Sequence, residues 1–382
     1  MTHQWISDPQ QLHAMVDALE AQVSLAVDTE FVRTNTYFSQ PGLIQIAARD
    51  EIYLVDPTAF QSTALQTLGQ CLFAPGRQLL MHSAGEDLDL FLHLWQSLPD
   101  QLFDTQIAAG FVGYDRQMGL QRLLEQVLGV QLDKEVTRSD WLQRPLSPRQ
   151  LSYAEADVRH LDALAEHLSA RLQQLNRLHW FREECQQLVA KYRHKTPDEE
   201  LYLGFSAGWK LAPEQQAALR HLARWREQTA RERNIPKTFI AKDAQLYGLV
   251  EKQPNNRGEL AELGFGGGQI RRFGAVLLQE LEQGLQQPPP ARLIPRPLSK
   301  AQQKDYKRLR DLVAQQAAEL QLPSNLLASK AQLTDYIKAR TAGTLDREDP
   351  FQGSWREPIL RPPLDGCVLT SEKNQPEDAD DD

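Results

Sequence analysis

The chain has 382 residues, 41% of them hydrophobic and 24% charged, with a formal net charge of −9. That length provides for two or three domains of roughly 100–200 residues, an ordinary composition excludes a fibrous or wholly disordered chain, and no run approaches the roughly 18 apolar residues that a membrane span needs. The acidic total speaks against a surface that grips nucleic acid everywhere, but the charge is uneven: residues 372–382 are mostly acidic, whereas Arg220, Arg224, Arg226, Arg231, Arg233 and Lys237 crowd one stretch, and local fields decide binding.

The first residues, Met1-Thr-His-Gln-Trp-Ile-Ser-Asp, have neither the basic nor the apolar segment of a secretory signal. Cys71, Cys185 and Cys367 are odd in number, far apart and without metal-ligand spacing, the pattern of reduced thiols. A cytoplasmic protein is expected, with no membrane association and no protein partner evident, acting as a monomer.

In chain order, Val23-Ser-Leu-Ala-Val-Asp, Leu43-Ile-Gln-Ile-Ala, Ile52-Tyr-Leu-Val and Gln78-Leu-Leu-Met-His are short apolar runs bounded by Gly, Pro, Asp or charged residues, the signature of strands. Helical patterns occupy the neighbourhoods of 61–72, 85–95, 105–112 and 119–128, so the first 175 residues or so read as an α/β domain. Ser147 with Gln150 forms a capping box and Pro148 takes the first helical position. The stripe Leu151, Ala154, Val158, Leu161, Leu168, Leu172 and Leu175 predicts one helix over 148–175.

A polar passage, Tyr192-Arg-His-Lys-Thr-Pro-Asp-Glu-Glu, reads as a linker, and from Pro213 the patterns are purely helical. Gln287-Pro-Pro-Pro-Ala-Arg-Leu-Ile-Pro-Arg-Pro marks a second boundary in extended form. Residues 211–246 laid over 298–333, an offset of 298 − 211 = 87, match at about a third of positions, which indicates a duplicated helical module. The Gly264-Phe-Gly-Gly-Gly turn has no counterpart in the second copy; it follows helical sequence, so it is an inter-helix turn rather than a dinucleotide loop. Beyond about 341 the chain is rich in Pro and Asp and is expected to be poorly ordered.

The chemistry-bearing residues are acidic. Asp28 and Glu30 end the first strand-like run two residues apart, so their side chains project together; such a pair is either solvated or held by a hard cation that removes the repulsion. Asp87 falls in the first turn of the next helix, where the dipole favours a carboxylate, with Glu86 and Asp89 as competitors. Tyr153 and Asp157, four apart, share a helix face roughly a quarter turn from the apolar stripe and can line a cleft.

The order Asp-x-Glu on a first strand, Asp entering a middle helix and Tyr-x-x-x-Asp on a later helix resembles the DEDD exonuclease superfamily, tyrosine subtype. Asp28-Thr-Glu-Phe-Val-Arg-Thr-Asn-Thr-Tyr, Gly42-Leu-Ile-Gln-Ile, His82-Ser-Ala-Gly-Glu-Asp-Leu and Leu151-Ser-Tyr-Ala-Glu-Ala-Asp-Val are similar to the ribonuclease D family within it, and the helical repeats resemble paired HRDC modules.

This resemblance implies a ribonuclease H-like fold, a mixed sheet flanked by helices, over 1–190. An HRDC domain over 211–288, a degenerate second one over 298–365 and an acidic, disordered tail over 366–382 would follow. It implies a metal-dependent 3′→5′ exoribonuclease that trims tRNA precursors and other structured RNA at their 3′ ends, releasing 5′-mononucleotides. Two divalent metal ions, Mg²⁺ or Mn²⁺, would be held by Asp28, Glu30, Asp87 and Asp157 about the scissile phosphate. Tyr153 would orient the attacking water, since an ordinary phenol with a pKa near 10 is a poor base at neutral pH. Phe31 and Arg33 are candidates for stacking on the terminal base and binding a phosphate, with core and solvated surface as equal readings. His82 is a substrate-side or supporting residue rather than a ligand of an oxygen-preferring metal. A DNA-directed 3′–5′ exonuclease and a non-catalytic nucleic-acid binder of the same fold are the competing readings.

Overall fold

The computed structural model describes residues 3–132 and 139–371. They form two compact units. The described residues of Met1–Glu30, Pro41–Arg193 and Leu298–Asp382 make the first, and Phe31–Gln40 with His194–Pro297 the second.

The first unit is built on a six-stranded sheet: β1 (His3–Ile6), β2 (Ser24–Val32), β3 (Gln40–Ala48), β4 (Glu51–Val55), β5 (Gln78–Met81) and β6 (Gln101–Asp104), in the order β1-β4-β3-β2-β5-β6. β1 and β4 are parallel, β3 and β4 antiparallel, and β2-β5 and β5-β6 parallel, so the sheet is mixed. Consecutive residues Leu25-Ala-Val27, Leu43-Ile44 and Leu79-Leu-Met81 are all buried. Unbroken apolar runs rather than alternation are what a sheet covered on both faces requires.

Around the sheet lie α1 (Pro9–Leu19), α2 (Ser62–Leu72), α3 (Gly85–Trp95), α4 (Thr105–Phe111), α5 (Leu120–Leu128), α6 (Pro148–Arg159), α7 (Leu161–Gln174) and α8 (Leu178–Arg193). The single helix expected over 148–175 is two helices. His160 between them leaves helical geometry, with φ −113° and ψ 5°. No Gly or Pro announces this break; its reason is packing, because α6 lies on β4 while α7 lies against α4, α5, α8 and β5, and one straight rod does not serve both. α8 carries the chain through Tyr192 and Arg193, so the polar passage read as a linker begins at His194.

In the second unit α9 (Pro213–Glu232), α10 (Lys237–Ile240), α11 (Asp243–Lys252), α12 (Arg257–Glu262) and α13 (Gly267–Leu285) enclose a core of Leu219, Leu222, Leu246, Leu249, Leu260, Phe273 and Leu277. Gly264 takes φ 81° to turn the chain into α13, a conformation in which only Gly is unstrained. The basic cluster of α9 and the start of α10 is largely paired within this unit: Arg224 with Glu199, Arg226 with Asp243, Arg231 with Asp198 and Lys237 with Glu227. It offers less free positive charge than its sequence suggests.

The remaining helices of the first unit are α14 (Lys300–Glu319), α15 (Ser324–Leu327), α16 (Lys330–Ala342), α17 (Leu345–Glu348) and α18 (Glu357–Asp365). α14, α15 and α16 start 87 residues after α9, α10 and α11, the offset found in the sequence. The left-handed residue ending the first helix of each copy, Asn234 or Gln321, obeys it too. The expectation of poor order beyond 341 is overturned to residue 371: Phe351, Trp355, Leu360, Leu364 and Leu369 are buried. Trp355 stacks on Trp180 with ring centroids 4.8 Å apart, and Arg356 pairs with Glu184 at 2.6 Å. Buried aromatic area outweighs the Pro and Asp content that suggested disorder. Asp305 accepts from the amides of Thr370 and Ser371, fixing the segment after α18; the expected disordered tail beyond it, 372–382, lies outside the described residues.

Candidate active site

β2 delivers Asp28 and Glu30 two residues apart, and α6 delivers Asp157. One carboxylate oxygen from each of these three residues lies within 4.8 Å of the others. Asp87, on the first turn of α3, is outside that set. Thr29, the residue between the two strand carboxylates, donates its hydroxyl to Asp87 Oδ1 at 2.5 Å, and Asp87 is close enough for its charge to act on Glu30. The structure thus brings all four sequence-predicted carboxylates together over the second half of β2, which runs on to Val32 beyond the acidic pair, three in ligating proximity and one beside them.

Four anions so placed resist ionisation. Burial first, and then the charges of Asp28, Asp157 and Asp87, push the Glu30 carboxyl up to about 9. Burial and Asp157 raise Asp28, and burial and Asp28 raise Asp87. Buried carboxylates without compensating charge either hold protons or bind cations. An all-oxygen set suits a hard divalent ion such as Mg²⁺ or Mn²⁺ far better than a thiophilic one, so the residues present fit the metals that the acidic pattern implies.

Sequence reasoning missed several residues that hold these groups in place. Gln45, fully buried on β3, donates Nε2 to Asp28 Oδ2 at 3.5 Å. Asp104, 1% exposed at the end of β6, accepts from four backbone amides. Those of Ser83 and Ala84 precede α3, and those of Gln106 and Ile107 open α4. The turn that aims Asp87 is therefore strapped to β6, and Ser83 within it is held at φ 61°. A carboxylate among helix-start amides is a strong cap, but nothing in the sequence separates this Asp from any other at a strand end.

Tyr153 packs its ring 6.1 Å from that of buried Trp141. The Trp141 segment presses on β3 at Gly42, where an added Cβ would lie 2.6 Å from the Trp141 carbonyl oxygen. Arg144 clamps the same segment, donating to both Asp56 oxygens, to the Gly42 carbonyl and to the Trp141 carbonyl. Burial would raise the Asp56 carboxyl, but Arg144 and Thr58 overcome it and hold the group below its ordinary range. The capping box of Ser147 and Gln150 starts α6 as the sequence predicts.

A cleft of about 890 Å³ opens over Asp28, Tyr153 and Asp157, with Leu120, Gln121 and Arg149 among its walls. His82 also lines it, yet both ring nitrogens are engaged: Nε2 donates to the Met118 carbonyl and Nδ1 lies 2.9 Å from Thr105 Oγ1. Burial lowers its pKa, which keeps the ring neutral. Phe31 and Val32 are half-buried at the end of β2, and Arg33 beyond them is exposed, with Nε donating to the Tyr37 carbonyl.

Comparison with known proteins agrees with this geometry. The 3′–5′ exonuclease family profile matches residues 3–173 and the HRDC domain profile residues 215–281. Ribonuclease D of Pseudomonas paraeruginosa is 34% identical over 359 residues, covering 92% of this chain and 94% of its own. The chain belongs to the ribonuclease D family. It is accordingly a 3′–5′ exoribonuclease. Ribonuclease D of Xanthomonas oryzae pv. oryzae is 36% identical over 365 residues, 93% of this chain and 96% of its own. The crystal structure of Escherichia coli RNase D, described as an exoribonuclease involved in structured RNA processing, superposes with a TM-score of 0.85 at 30% identity, covering 96% of this chain and 98% of that one. No helix among the described residues is long and apolar enough to cross a membrane.

Proposed function

We propose that this exoribonuclease trims 3′ extensions from tRNA precursors and other structured RNA in the cytoplasm, acting as a monomer and releasing 5′-mononucleotides. Asp28, Glu30, Asp87 and Asp157 hold two divalent ions, Mg²⁺ or Mn²⁺. One observation carries this assignment: carboxylates more than a hundred residues apart in the chain, Asp28 and Glu30 on β2 and Asp157 on α6, meet within 4.8 Å with Asp87 tied to the strand between them.

Bound there, the ions would neutralise the carboxylates, activate water for attack and stabilise the departing 3′-oxygen. The chain's own residues do the rest. Asp28 is kept in place by Gln45, and Asp87 by Thr29 and by the Asp104 strap. Tyr153, packed beside Trp141 and lining the cleft, orients the attacking water; a phenol, neutral at physiological pH, donates a hydrogen bond more readily than it removes a proton. Phe31 is the residue after Glu30 on β2 and Arg33 directly follows that strand; with His82 in the cleft wall we assign them to the substrate side. We place the exonuclease domain at 1–190, the HRDC domain at 211–288 and its degenerate copy at 298–365. The shared helix register of α9–α11 and α14–α16 supports the duplication.

The test is a time course on 5′-labelled tRNA carrying a 3′ extension, with Mg²⁺ or Mn²⁺. A ladder shortening one nucleotide at a time, 5′-mononucleotide products, arrest by chelator and an inactive Asp28→Ala variant are expected. Wild-type rates in Asp28→Ala would remove the site assignment, and faster cleavage of a matched DNA would move the substrate from RNA to DNA.

A further inference from the structure

The cleft beside the carboxylates has a feature that metal chemistry does not use. α6 presents Arg149, Ser152, Tyr153, Ala156 and Asp157 to it, spaced three and one residues apart, which places them on one helix face. Among the described residues, two arginines line the cleft. Arg159 is committed to Glu155, four residues earlier on the same helix. Arg149 is exposed and has no hydrogen-bond or ion-pair partner among the described residues. It stands eight residues before Asp157, about 12 Å along the helix axis at 1.5 Å per residue.

The substrate is a polyanion, and the centre it must approach carries four carboxylates and Glu155 nearby. A free guanidinium two turns from Asp157 on the same wall is positioned for a phosphate further from the 3′ end than the scissile one. Guanidinium binds phosphate through two parallel charge-assisted hydrogen bonds, with geometry as well as charge. Its root in the first turn of a helix also lies at the positive end of the dipole. We propose that Arg149 forms an upstream phosphate subsite that holds the RNA backbone while its terminal linkage lies at the carboxylates. This inference rests on the active-site reading above and adds the residue that registers the strand in it.

The experiment uses the full-length protein and single-stranded RNA oligonucleotides in which one linkage at a time, counting from the 3′ end, is an uncharged methylphosphonate. For the wild type, neutralising one particular internal linkage is expected to raise KM about fivefold, the upper range for losing one solvent-exposed ion pair. Arg149→Gln is expected to raise KM for unmodified RNA by a similar factor, change kcat by less than about twofold, and become indifferent to that linkage. Its log KM should also depend less steeply on log salt, by about 0.7, the value for one phosphate contact on a single strand. Arg149→Lys should recover most of the salt dependence but less of the affinity. A merely structural arginine moves neither the linkage coupling nor the salt slope, and an unchanged melting temperature checks the fold. Wild-type KM and salt slope in Arg149→Gln, a loss confined to kcat, or equal sensitivity of wild type and variant at every linkage overturns the subsite. Retained activity in Asp28→Asn would overturn the active-site reading instead, so the two failures are distinguishable.

Discussion

Replacing Asp28 by Asn should stabilise the metal-free protein and remove its response to metal. Oxygens of Asp28, Glu30 and Asp157 lie within 4.8 Å of one another, and two unit charges at that distance repel by about 3.5 kcal/mol at an effective dielectric constant of about 20. The cluster evades part of this cost by holding protons: Glu30 is pushed up to about 9. In the unfolded chain the same groups ionise near pH 4. Between those limits the folded state binds more protons than the unfolded one, so stability falls as pH rises. Asp28→Asn removes one contributor and relaxes its neighbours, so the variant's advantage grows with pH. With about 3 kcal/mol relieved and roughly 2–3 °C per kcal/mol, we expect the metal-free variant to melt about 6–9 °C above wild type at pH 8.5, and within about 3 °C at pH 5. Saturating Mg²⁺ should raise the wild-type melting temperature by several degrees and the variant's hardly at all, as selective binding to the folded state requires. Differential scanning calorimetry with and without chelator measures all four values. A pH-independent difference, or an equal Mg²⁺ shift in both proteins, would refute the electrostatic account.

Three further outcomes follow from the same geometry. Gln45→Leu, which removes the buried donor to Asp28, should weaken Mn²⁺ binding by about 10-fold in a calorimetric titration, within the range for supporting hydrogen bonds of metal ligands. Asp104→Ala leaves two helix-start turns uncapped and should cost about 2–4 kcal/mol in urea unfolding, while lowering kcat by loosening the turn that carries Asp87. Tyr153→Phe should lower kcat by about 10- to 100-fold in single-turnover assays with Mn²⁺ affinity unchanged; an equal loss of affinity would make the tyrosine part of the metal site rather than a residue that orients water.

The parts of this fold that were legible in sequence have a local cause. Residues 25–27 of β2, 43–44 of β3, 52–55 of β4 and 79–81 of β5 are buried in succession and therefore read as short apolar runs. The capping box at Ser147 specifies the start of α6 within four residues. β1 and β6 escaped because each is four residues long, with polar residues in His-Gln-Trp-Ile and Gln-Leu-Phe-Asp; pairing with β4 and β5 makes them strands, and pairing partners are invisible in a linear reading. The break at His160 escaped for the same kind of reason, since the apolar stripe continues across it. At the site, Asp28, Glu30 and Tyr153-x-x-x-Asp157 could be nominated because their spacing carries geometry. Asp87 needed the order of motifs to separate it from Glu86 and Asp89. Gln45, Asp104, Trp141 and Arg144 act through contacts with residues far off in the chain, so no spacing reveals them.

The most direct test of the central assignment is anomalous diffraction from a crystal of the wild-type protein soaked in Mn²⁺. Manganese peaks ligated by oxygens of Asp28, Glu30, Asp87 and Asp157 are expected. Clear electron density for these side chains with no manganese among them, at concentrations that support RNA cleavage, would contradict that assignment.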